Sequence, residues 1–167
     1  MQLPPVDQYR EPFIVPLGHL TMWAANAEDA LIELCGAVTN ASAQDSLTIE
    51  QVAANLRNWP FARGFASELF AGIADPIRRA RAIEVLDKYE LLRERRHRSI
   101  HDAIDVGVFE VVGGGYLVQA LQIGFVGTRQ KTRQVLSEIT PEVLANLASE
   151  LYELYKDMDA LIYELRA

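Results

Sequence analysis

The chain has 167 residues, half of them hydrophobic and 23% charged, with a formal net charge of −7. That size and composition fit one domain with a real core and exclude a disordered or low-complexity chain. The acidic balance excludes a protein that coats nucleic acid without specificity, because such binders are basic overall.

The opening Met1-Gln2-Leu3-Pro4-Pro5 lacks the basic and apolar regions of a signal peptide. Residues 1–15 are proline-rich and aperiodic and read as an extended N-terminal arm, followed by a single helical domain over 16–167. Leu17, Leu20, Ala24, Ala27, Leu31, Leu34 and Val38 then recur at alternating spacings of three and four, a heptad seam on a helix from about Pro16 to Val38. His19 and Trp23, one turn apart on its flank, read as packing residues. Cys35, the single cysteine, cannot form an internal disulfide and reads as an inert core thiol, which places the protein in the cytoplasm.

A polar loop over 39–47 leads to Thr48-Ile49-Glu50-Gln51, the pattern of a capping box: a threonine hydroxyl bonds the third amide and a glutamine reaches back. The short helix it opens should stop before Trp59-Pro60. Phe61 to Gly72 predicts another short helix with Phe65, Leu69 and Ile73 on one side. Trp59, Phe61, Phe65 and Phe70 are the expected aromatic filling of the core.

Asp75-Pro76 opens the longest helix, with an N-cap residue followed by the position where proline is welcome. Nothing from Ile77 to Asp105 would stop it, giving a helix of about 45 Å. Ala82, Ile83, Leu86, Tyr89, Ile100 and Ile104 share its apolar face. Arg93 and His97 fall on that same stripe, and Arg96 and His101 flank it, roughly 140° apart. Arginine and histidine on a core-facing stripe set pattern against burial, a conflict typical of functional sites. Solvated arginines at a helix end, suited to its dipole, are the plainer explanation. From Arg78 to Arg98 eight basic residues stand against four acids, so this segment carries +4 and the remainder −11. RNA contact is thereby confined to this helix.

Beyond it the period changes to two. Val106–Val112 and Tyr116–Ile123 flank Gly113-Gly114-Gly115 and predict a hairpin, and Gln134–Ile139 is a candidate third short strand. The glycines are not a phosphate loop, since no Lys-Ser/Thr pair follows and no helix begins there. The least charged run, Val111–Gly127, is β-branched and glycine-rich, so no membrane helix is predicted. Thr140-Pro141-Glu142 restarts helix, and Leu144, Leu147, Leu151, Leu154, Met158, Leu161 and Leu165 form a second heptad seam. The fold class is therefore mainly α: a bundle of four or five helices with a small antiparallel β-hairpin inserted before the C-terminal helix.

Arg96-His97-Arg98-Ser99-Ile100-His101 resembles the signature of the HEPN superfamily, an arginine, a polar follower and a histidine a few residues on. Arg96 is the arginine, His97 the follower and His101 the histidine, with four residues between Arg96 and His101. The resemblance extends over Leu17 to Leu165. It implies a small helical bundle that acts as a metal-independent endoribonuclease in a toxin–antitoxin or phage-defence setting, with motifs from two subunits facing each other. By that resemblance Arg96 and His101 are catalytic and His97 orients them or the substrate. Arg93 and Arg98 are the accompanying candidates for RNA binding.

The residue types suit the chemistry. Cleavage without metal needs a base for the 2′-hydroxyl, an acid for the leaving oxygen and positive charge on the transition state. Histidine supplies the first two and arginine the third. Arg and His so far apart in angle cannot close on one phosphate from a single helix, which favours a homodimer. No cofactor and no metal are expected. Another reading of the same resemblance is a catalytically silent interaction module that binds a protein partner, such as a nucleotidyltransferase-like antitoxin. A divalent metal shared by His97 and His101, with Asp102 or Asp105, is a third and lacks a full ligand set.

Overall fold

The computed structural model describes residues 6–41, 47–57, 61–101, 103–110, 112–128 and 131–167. Five helices, α1 (Glu11–Ala41), α2 (Ile49–Leu56), α3 (Phe61–Ala71), α4 (Pro76–His101) and α5 (Pro141–Arg166), accompany three strands, β1 (Ala103–Glu110), β2 (Tyr116–Thr128) and β3 (Lys131–Glu138). The strands form an antiparallel sheet in the order β1-β2-β3 between α4 and α5. The chain is thus mainly helical with a small sheet before its last helix.

The two heptad seams pack on each other. Leu20, Ala24, Ala27, Leu31, Leu34 and Val38 of α1 are buried, as are Leu144, Leu147, Leu151, Leu154, Met158 and Leu161 of α5. These two helices share the most extensive helix contact. They run parallel: Trp23 packs at a tilt against Tyr152, and further along both helices Arg166 meets Glu33 at 3.4 Å. Cys35 is fully buried, and burial pushes its thiol up to about 12. A thiol so far from ionising is not a nucleophile.

The arm expected over 1–15 is shorter, because α1 begins at Glu11. Asp7 Oδ1 accepts from the amides of Tyr9 and Arg10 at 3.0 Å, its carbonyl accepts from Glu11, and Phe13 is buried. A cap and an apolar anchor thus override the prolines. Pro12 lies in the first turn where it costs little, and Pro16 sits inside the helix without an amide to donate.

The capping box at Thr48 forms as predicted: its amide donates to Gln51 Oε1 at 2.8 Å, and its hydroxyl accepts from the Gln51 amide at 3.4 Å. The aromatic filling of the core is smaller than expected. Phe70 is fully buried and Phe65 partly, but Phe61 is 75% exposed. Ala62, Ala66 and Phe70 form the buried side of α3, so the first phenylalanine falls on the solvent side. Trp59 lies outside the described residues.

Asp75 caps α4, its Oδ1 accepting from the amides of Ile77 at 2.8 Å and Arg78 at 3.1 Å. Three ion pairs fix α4 antiparallel to α5: Arg81–Glu164 at 2.7 Å, Lys88–Asp157 at 3.4 Å and Arg95–Glu150 at 2.6 Å. The positions step by seven residues, upward on α4 and downward on α5, as two helices crossing at a shallow angle require. Arg63 of α3 reaches across to Asp87 at 2.6 Å and also to Glu90.

α4 stops at His101, four residues before the expected Asp105, and β1 takes over at Ala103. β1 carries Ile104, Val106 and Val108, and Ala103 to Glu110 pair with Ile123 to Tyr116 of β2. Ladder bonds and β-branched residues therefore end a helix that contains no breaker. Gly113, Gly114 and Gly115 make the turn at φ of 107°, 92° and 109°, which a side chain would disfavour. β2 continues to Thr128 and pairs there with Lys131 of β3, so the expected hairpin is two legs of a three-stranded sheet. Among the described residues, Leu121, Gln122 and Ile123 are the ones with partners on both sides.

Candidate functional site

The final turns of α4 hold the signature residues, and the packing of the helix decides which way each faces. Ala82, Val85, Leu86, Tyr89, Leu92 and Ser99 are its buried residues, and Ile100 packs partly against the core. Arg96 continues this line, four residues past Leu92 and three before Ser99. His97 is exposed, and Ile83, expected on the buried stripe, is exposed as well. The inward face is thus rotated by about one residue from the stripe read in the sequence, and it carries Arg96 in place of His97.

Arg95 and Arg96 turn to different neighbours. Arg95 forms a two-pronged pair with Glu150 of α5, Nη1 at 2.6 Å and Nη2 at 3.2 Å. The Arg96 side chain is 22% exposed, and its Nη2 stands 3.6 Å from Glu28 Oε2 of α1. That distance gives Coulomb attraction without a hydrogen bond. Among the described residues the Arg96 guanidinium makes no hydrogen bond. Below it, the buried Tyr89 phenol is pushed up to about 12, first by burial and then by the Glu28 carboxylate, against the opposing Arg93 and Arg96. Arg93, Arg96, Tyr89 and Glu28 therefore share one electrostatic neighbourhood on the α1–α4 seam.

Arg93 and Arg98 are both half-buried. Ser99 donates to the Arg95 carbonyl at 3.0 Å, which tucks its hydroxyl into the helix. His101 is the last residue of α4. Its side chain and the whole of Asp102 lie outside the described residues, so the structure brings Arg93 and Arg96 together and leaves the Arg96–His101 geometry open. Glu28 is the residue that sequence reasoning missed. It sits far away in the chain, in an acidic stretch of α1 with no motif, and only the packing of α4 reveals it.

No family model matches the chain, and no curated protein or solved structure matches it significantly. The likeness to HEPN proteins therefore rests on the Arg96–His101 signature and its helical setting. Among the described residues no three His, Cys, Asp or Glu side chains gather where a metal ion could be held, and no helix is long and apolar enough to cross a membrane.

Proposed function

We propose that this chain is a HEPN-like protein whose Arg96–His101 turn cuts RNA without metal, from a composite site formed by two copies. One observation carries this reading: the half-buried Arg96 makes no hydrogen bond among the described residues, while its neighbour Arg95 is tied to Glu150 by two. A shielded guanidinium suits a phosphodiester oxygen and the charge that develops on it. His97 stands exposed beside it, and His101 ends the helix one turn later as the acid or base.

Purified protein should cleave single-stranded RNA in the presence of chelator and leave 2′,3′-cyclic phosphate ends. Arg96→Ala or His101→Ala should lower the rate by ~10² or more, the scale of one electrostatic or acid–base contribution. His97→Ala should cost less. Sedimentation should find a dimer, and a monomer at tens of micromolar would remove the composite site.

A specific observation favours a second reading, an interaction module for a protein partner. Arg81, Lys88 and Arg95 are bound to acids of α5, which leaves α4 far less basic to a ligand than its composition. Meanwhile Val15 is 67% exposed and Met22 46%, beside an open cleft of about 230 Å³ between α1 and α5 lined by Val15, His19, Trp23, Ala148 and Tyr152. On this reading wild type and His101→Ala are equally silent toward RNA, and a nucleotidyltransferase-like protein is retained.

A further inference from the structure

We infer that Glu28 is a positioning residue for Arg96: it aims the guanidinium at the substrate phosphate without taking up its donors. The inference rests on the ribonuclease reading and deepens it. An arginine on a free surface samples many rotamers, and a catalytic cation must have its orientation settled before the substrate arrives. Glu28 is suited to do this from a rigid mount. Its neighbours Ala27, Ala30 and Leu31 are buried in the core, so the backbone that carries it is fixed, while its own side chain is 51% exposed. From there the carboxylate draws Nη2 to 3.6 Å, an attraction that works over distance and does not itself take up an N–H that a phosphate oxygen could use. A two-pronged pair like that of Arg95 with Glu150 would instead occupy the fork. Tyr89 lies in the same electrostatic neighbourhood, its ring buried and its phenol un-ionised.

The test is Glu28→Gln, which removes the charge and keeps the shape, with Glu28→Asp as the conservative variant. Two measurements are made on the full chain: the Arg96 Nε–Hε resonance by NMR, and the split of kcat from KM on single-stranded RNA. In Glu28→Gln the resonance should move toward that of a free arginine and kcat should fall ~10-fold or more, the scale of a modest misplacement of a catalytic group. KM should change much less, and Glu28→Asp should recover part of kcat. The melting temperature should stay close to wild type, since a half-exposed pair adds little stability. An Arg96 resonance at its wild-type position in Glu28→Gln overturns the inference, and so does a resonance that moves while kcat does not. If wild type cuts no RNA, the ribonuclease reading fails, and an uncleavable 2′-O-methyl oligonucleotide then decides on Glu28. A shift of the Arg96 signal on titration that weakens in Glu28→Gln supports the positioning role, whereas an equal shift in both proteins, or none, overturns it.

Discussion

The stretch of α4 from Arg81 to Arg95 and the turn that follows it are made of the same residue types, yet their cations are put to different uses. In the first, arginine and lysine alternate with apolar positions at heptad spacing and meet the acids of α5 in matching steps. These pairs fix the register and direction of two antiparallel helices, as charges beside a coiled-coil seam do. In the second, α4 runs past Glu150 toward the end of its contact with α5, and Arg96 turns to α1, where it meets its acid at a longer distance. Helix charge therefore says little about nucleic-acid affinity until each cation's partner is known.

The contrast can be broken at the core beneath the ladder. Leu154 lies on α5 between Glu150 and Asp157 and is fully buried. Leu154→Ala should cost about 2–5 kcal/mol in urea unfolding, because a cavity replaces packed atoms. Arg95→Ala should cost under about 1 kcal/mol, as exposed ion pairs do. A larger loss in Arg95→Ala than in Leu154→Ala would mean that charge, not apolar packing, holds α4 to α5.

The same neighbours sharpen the contrast in activity. Arg95→Ala should leave RNA cleavage within about threefold of wild type, whereas Arg96→Ala should lose ~10² or more. Equal losses would show that the two arginines act as one basic patch and that the division between ladder and motif is wrong.

The smallest effect lies at the other end of α4. Hydrogen bonds from the Arg78 amide first, and then the Ile77 amide, hold the Asp75 carboxyl below its ordinary value of 3.8. The stability this gives is complete above that ordinary value and is lost as pH falls through the lowered one. Asp75→Asn keeps an oxygen acceptor but no ionising group. Between about pH 7 and about pH 2 wild type should therefore lose slightly more melting temperature than Asp75→Asn. Identical slopes would show that the cap carries no acid-side stability.

Most of the bundle was legible in the chain. The leucines of α5 and the small and large apolar residues of α1 were read as seams and are buried almost without exception, because a heptad repeat leaves one face for the core. The capping box at Thr48 and the caps at Asp75 and Thr140 were equally legible, since each is a contact between residues two or three apart. Phe61 and Ile83 were misplaced because a helix rotated by one residue exposes a side chain that the wheel puts at the edge of its stripe. α1 starts earlier than the prolines suggest because Asp7 caps it and Phe13 anchors it in the core. The motif turn was found in the sequence, but the direction in which Arg96 faces was not.

Local pattern by itself thus determined the number, type and approximate extent of the helices, the glycine turn, and the residues worth testing. Their spacing along a single segment encodes periodicity, capping and turn chemistry. The end of α4 at His101, the continuation of β2 into a third strand, the register of α4 on α5 and the pairing of Arg96 with Glu28 were decided only by tertiary structure. Each depends on groups far apart in the chain, whose contact distance no local repeat records.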